Sequence, residues 1–191
     1  MQLDCLNDIV MDRTPFIKIL GVWISEDLTW DKNCKEICKK AYKRIGMITK
    51  LKYLGVNRED LLDIHKLFIR SVIEYCSVAF HSSLTQEQSN KLEKVQKTCL
   101  KVVLDEEYED YNNALTISNL ETLSDRRLKR CLDFSLKCIK HPRNRMIFPN
   151  NPTFNKRIRN LEPFEVNFAN TGAYQRSAVP FCQKLLNENF Q

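Results

Sequence analysis

Glycine is scarce in this chain, with four among 191 residues. That argues against a Gly-rich loop architecture and against a phosphate-cradling loop of the Walker type, whose signature is absent. No stretch approaches the roughly 18 consecutive apolar residues that a membrane helix needs. The opening MQLDCLNDIV lacks the basic-then-apolar shape of a signal peptide. An intracellular protein with no membrane partner is the expectation. No C-x-x-C pair occurs among the eight cysteines (5, 34, 38, 76, 99, 131, 138 and 182), and the three histidines are scattered at 65, 81 and 141. Cys34 and Cys38 lie one helical turn apart, but the rest of a metal-ligand spacing is missing, so neither metal nor cofactor is expected. A disulfide framework fails on context: the chain is not short, and most of its cysteines fall on apolar helix faces, where a thiol serves as a small hydrophobe.

What is present is a globular balance of 43% hydrophobic and 28% charged residues, enough for one domain with a core or a domain with a trailing arm. The net charge of +6 conceals sharp blocks. Residues 31–58 hold nine lysines and arginines against Asp31 and Glu36, a net of +7. Residues 126–145 hold eight against Asp133, again +7, while 105–125 carry seven acids and no base. Local potential of this kind, more than total charge, decides whether a polyanion is attracted.

The first 30 residues read as strands. LDCL (3–6) and IVMD (9–12) flank a plausible turn at Asn7-Asp8. After Pro15 an apolar strand spans 16–24, with both faces covered and Gly21 permitting a bulge or a close backbone approach. A three-stranded antiparallel meander results, too small to stand alone.

From Asp31, read as an N-cap, the period becomes helical. Cys34, Ile37, Cys38, Ala41, Ile45 and Ile48 share an arc of about 100°, while Lys32, Lys35, Lys39, Lys43 and Lys50 cluster opposite. Such a stripe is commonly a solvated face; here the near absence of acids suits a phosphate backbone instead. Gly55 ends this helix. Asn57 and Asp60 open the central one, whose narrow polar stripe is Asp63, Lys66, Arg70, Glu74 and Ser77. His65, on its apolar face, reads as a hydrogen-bonded core histidine. Thr85 and Gln88 form a capping box before a helix with Leu92, Val95, Cys99 and Val103 inward. Ser124 is read as the cap of 125–140, with Leu128, Cys131, Leu132, Ser135, Leu136 and Ile139 inward, and Pro142 closes it. The prolines and Gly172 within 141–177 suggest an extended arm, followed by a last amphipathic helix near 178–188.

The succession KILGVWISEDLTW, a basic helix, HKLFIRSVIEYCSVAFHSS and LEKVQKTCLKVVL resembles the region just after the polymerase palm in non-LTR (LINE, jockey-like) retrotransposon reverse transcriptases, and NTGAYQRSAVPFCQKLLN resembles the ends of such reading frames. The likeness covers roughly 3–140 and the tail. It implies a primer-grip hairpin in 1–30 with Lys18, Leu20, Gly21 and Val22 in the grip, a helical thumb-like domain in 31–140, and an arm with a terminal helix in 141–191. The implied fold is mainly α, a short N-terminal antiparallel meander followed by a helical bundle and an irregular C-terminal arm.

The family's paired acids for two metal ions are missing, because DEEYED (105–110) lacks flanking apolar strands and reads as a solvated turn. No catalytic residue is therefore assigned, and no enzyme activity is expected of the chain alone. The resemblance implies nonspecific binding of an RNA–DNA or DNA duplex through Lys32, Lys35, Lys39, Lys40, Lys43, Arg44 and Lys50, and it admits a palm and fingers chain supplied in trans. Two other readings stand beside it: a transposon-derived relic without function, and a helical protein–protein module whose acidic 105–125 segment folds back on the basic helices.

Overall fold

A computed structural model of the chain describes residues 13–151, 163–166 and 170–190. The fold is mainly helical, a two-stranded antiparallel hairpin followed by helices. The expected strands 3–6 and 9–12 lie outside the described residues. The expected single strand over 16–24 is instead the hairpin itself, β1 (Phe16–Ile19) paired with β2 (Val22–Ser25) in the register Phe16–Ser25 to Ile19–Val22. The break falls at Leu20 and Gly21, both at positive φ (46° and 87°), the backbone of a two-residue turn whose twist matches that of the strands. Apolar continuity conceals such a turn, since leucine carries no turn signal. Nor are both faces covered: β1 is exposed along its length, and in β2 only Val22 and Ser25 are buried.

Gly21 needs its glycine for conformation and not for room. A Cβ there would meet Tyr75 at 3.6 Å, ordinary contact, whereas a left-handed backbone costs an L-residue about 1–2 kcal/mol. Gly21→Ala should therefore lower the unfolding free energy by about 1 kcal/mol in urea titration. An unchanged midpoint would mean that the turn is not held in this conformation.

Helix α1 (Asp31–Tyr53) buries Cys34, Ile37, Ala41, Ile45 and Ile48, the face its spacing demands. It ends as expected at Gly55, whose φ is 82°. Asp31 is not the cap. It sits in the first helical turn, where its carboxylate accepts a hydrogen bond from Gln88 Nε2 at 3.0 Å. Helix α2 (Arg58–Ile64) starts as read, Asn57 accepting from the Asp60 amide at 2.8 Å.

The central helix departs from the reading in one informative way. Residues His65–Arg70 form a π turn before α3 (Ser71–Ile73). A π turn spreads its residues over a wider turn, so everything beyond it is rotated relative to a uniform 3.6 period. Phe68, which lies outside the expected polar stripe, is 49% exposed, while Arg70, Glu74 and Ser77 of that stripe are buried. His65 is fully buried as read, but neither ring nitrogen has a hydrogen-bond partner among the described residues. Burial pushes its pKa down to about 4, so the ring is neutral near pH 7.

After α4 (Ser77–Phe80) comes α5 (Gln86–Leu104), which carries the Thr85–Gln88 capping box, with bonds of 3.2 and 2.9 Å. Helix α6 (Tyr111–Ile117) leads to α7 (Leu123–Lys140). The cap of α7 is Thr122, accepting from the Asp125 amide at 3.1 Å, and not Ser124. The buried stripe of α7 is Leu123, Arg127, Cys131, Ser135 and Cys138, and Leu128 faces outward. Arg127 turns the stripe: its guanidinium goes inside, where Nη2 donates to Ser89 Oγ at 2.8 Å.

Two clusters form the interior. The larger joins α1 through α7, with Ile48, Leu61, Ile73, Phe80, Leu92, Leu100 and, from the start of α7, Leu123 among its members. The smaller joins Cys131 and Cys138 of α7 to Phe148, Phe164 and the Cys182 and Leu186 of α9 (Ala178–Asn189), with the short α8 (Gly172–Gln175) preceding α9. Asn187 fastens this second core by bonding both the amide and the carbonyl of Phe164, at 2.9 and 3.1 Å.

Candidate nucleic-acid interface

The candidate surface begins with the geometry of α1. Because 3.6 residues make a turn, the face opposite its buried row presents Lys35, Lys39, Lys43 and Lys50, all exposed and none with an ion-pair partner among the described residues. Lys40, also exposed and without such a partner, lies toward the hairpin side, where it borders a groove of about 300 Å³ together with Gly21, Val22, Asn33, Arg44 and Tyr75.

The remaining residues of the expected set are engaged. Lys32 pairs with Glu36 at 3.6 Å and sits 5.2 Å from the Trp23 ring centre. Arg44 is half-buried and donates through Nη1 to the Phe68 carbonyl within the π turn. Its role is to tie α1 to the central helix, so it is withdrawn from the open stripe. The π turn explains why sequence spacing could not foresee this.

The hairpin is fixed to the same helix. Asn33 is buried, and its Oδ1 accepts the Trp23 amide at 3.2 Å. Tyr75 Oη donates to the Leu20 carbonyl at 2.8 Å, clamping the turn from the other side. Leu20 itself is 85% exposed at the tip. Lys18 lies 5.5 Å from the Trp23 ring centre, within cation–π range, so Trp23 has two ammonium groups near one ring. Val22 is buried and anchors the inner strand. Of the four residues expected in a grip, Lys18 and Leu20 are exposed, Gly21 supplies the turn and Val22 the anchor.

The acidic segment folds back on the C-terminal end of α1, the start of α2 and α7, away from the lysine stripe. Asp105 takes Lys52 at 2.7 Å, with Lys52 also donating to the Val102 carbonyl at 2.8 Å, and Glu107 takes Arg58. Glu121 takes Lys129 on α7. Among the described residues none of these acids reaches Lys35, Lys39, Lys40, Lys43 or Lys50, so the stripe keeps its field. Among the same residues no group of three His, Cys, Asp or Glu side chains converges, and no helix is long and apolar enough to cross a membrane.

Sequence reading missed Asn33, Tyr75 and Glu74. Asn33 had a signal, a polar residue inside the apolar arc, whereas Tyr75 and Glu74 owe their positions to the π turn. Comparison of the chain with protein-family models, with curated proteins and with solved structures gave no match.

Proposed function

We propose that this chain is a thumb-like binding module related to non-LTR reverse transcriptases, holding a nucleic-acid duplex nonspecifically through α1. The observation that carries the reading is the row of exposed Lys35, Lys39, Lys43 and Lys50, without ion-pair partners among the described residues, set beside a hairpin held by Asn33 and Tyr75. Ammonium groups spaced along one helix face suit regularly spaced phosphates and carry no base-specific information, so the binding is of position and not of sequence. The exposed apolar residues of β1, Phe16, Ile17 and Ile19, fit a further protein surface of the palm type supplied in trans. The acidic segment does fold back on the basic helices, as the helical protein–protein alternative expects, through Lys52, Arg58 and Lys129; the binding reading is preferred because among the described residues those pairs leave the Lys35, Lys39, Lys43 and Lys50 stripe uncovered.

The test is a salt titration of binding to a labelled RNA–DNA duplex. With four or five phosphates engaged, log K should fall against log salt with a slope of about 4. Lys35→Glu with Lys39→Glu and Lys43→Glu should cut that slope by about 3 and weaken binding across all duplex sequences alike. A flat salt response, or an unaltered slope in the triple variant, sinks the reading.

A further inference from the structure

A cleft of about 620 Å³ opens between α7 and the 74–78 segment, and no residue of α1 lines it. At its base lies Glu74, whose side chain is 3% exposed. Its Oε1 meets Arg126 Nε at 2.5 Å and Arg70 Nε at 3.4 Å. Its Oε2 meets Arg126 Nη2 at 3.2 Å and Arg130 Nη2 at 2.7 Å. A carboxylate offers about four lone-pair sites, and the three closer contacts use most of them, while Arg70 stands in ion-pair range without a hydrogen bond from Nε. Three guanidiniums bring about fifteen N–H donors, and most are left over.

Arg70 stays inside, but the side chains of Arg126 and Arg130 are 27% and 47% exposed and line the cleft. Lys137, with no ion-pair partner among the described residues, and the exposed ring of Phe134 line it too. Lys129 and Glu121 cancel each other there, and Asp133 adds one negative charge. The balance is still positive. Glu74 thus acts as an internal counter-charge that orients two arginines with their outer edges toward solvent, which is preorganisation for an anion.

We propose that this cleft binds a short single-stranded stretch of nucleic acid, a backbone phosphate lying on Arg126, Arg130 and Lys137 and a base stacking on Phe134. An aromatic face beside fixed cations is the usual composition of a single-strand site, and it is what separates this site from a purely anionic-peptide one. The site is independent of the α1 reading: it uses different helices and a different form of the polymer.

The probe is a fluorescein-labelled twelve-residue oligo-dT followed by anisotropy, with circular dichroism melts confirming fold. Arg130→Glu with Lys137→Glu should weaken its binding at least about tenfold at low salt, and Phe134→Ala should weaken it roughly tenfold. Both should leave duplex affinity within about twofold, a span far smaller than a stacking contact. Because Arg130 also holds Glu74, Lys137→Glu with Phe134→Ala, neither of which bonds to Glu74, carries the test if the first variant melts. The Phe134→Ala effect should persist in the Lys35, Lys39 and Lys43 triple variant, which keeps this result separate from the fate of the α1 reading. Unchanged oligo-dT affinity in the folded variants overturns the proposal. So does displacement by poly-glutamate or inorganic phosphate as effective, charge for charge, as displacement by unlabelled oligo-dT.

Discussion

Glu74→Gln is expected to cost about 3–5 kcal/mol of folding stability, read from urea unfolding, because it strips three guanidiniums of the buried carboxylate that, among the described residues, is their one ion-pair partner. The pair geometry explains why so large a value belongs to one atom swap. Surface ion pairs contribute at most about 1 kcal/mol, but this carboxylate is removed from water and its partners have been positioned around it. A neutral amide would keep the shape, present an N–H group to donors that need an acceptor, and leave the arginine charges uncompensated. Burial pushes the Glu74 pKa up, but the Arg126 hydrogen bond and charge, followed by the charges of Arg70 and Arg130, outweigh it and hold the group below its ordinary 4.5. A carboxyl depressed in the folded state stabilises fully above its unfolded value and loses that contribution as pH falls through the folded one. The wild-type chain should therefore lose stability as pH drops below about 4.5, and the glutamine variant should show a flatter acid limb. Equal stability within about 1 kcal/mol together with an identical acid limb would mean that the cluster is not a structural clamp.

The same cluster shows where the sequence is legible and where it stops being so. The buried row of α1 could be read directly, because six apolar positions at helical spacing leave one solution for an amphipathic helix, and the lysines then have only the opposite face. Asn57 and the Thr85–Gln88 box could be read because capping is local chemistry within three residues. What failed has a shared cause. The inward turn of Arg70 and Glu74 depends on the π turn at His65–Arg70, which no local propensity announces. The inward row read for this helix does not include Arg127, a residue type rarely buried without a carboxylate; yet its Nη2 finds Ser89, a residue 38 positions earlier in the chain. The hairpin turn failed because Leu20 adopts a positive φ, and only the Tyr75 bond to its carbonyl, 55 residues distant, shows what holds it there. In each case the deciding partner is remote in sequence, so periodicity had nothing to read. For the candidate site, composition and spacing located the open lysines, while tertiary contacts decided which cations were engaged elsewhere.

Phe148→Ala carries the second large effect, because it bears on how the chain beyond α7 is held. Phe148 is fully buried, in a core that includes only Cys131, Cys138, Phe164, Cys182 and Leu186 as its other buried hydrophobic members among the described residues. Deleting a buried phenyl costs about 3–5 kcal/mol through lost transfer energy and the cavity left behind. A core this small has few other contacts to absorb the loss, whereas the larger cluster around Ile48, Leu92 and Leu100 does not touch it through that ring. The loss should therefore appear first as local opening. Hydrogen exchange should accelerate in α9 and in the Arg145–Ile147 turn, while amides of α1 and α5 keep their protection. A uniform loss of protection across α1, α5 and α9 would instead show that α7, which contributes to both sides of the interior, binds the two clusters into one cooperative unit. In that case the Glu74 clamp and the Phe148 core would have to be coupled, and the double variant would depart from additivity by more than about 0.5 kcal/mol.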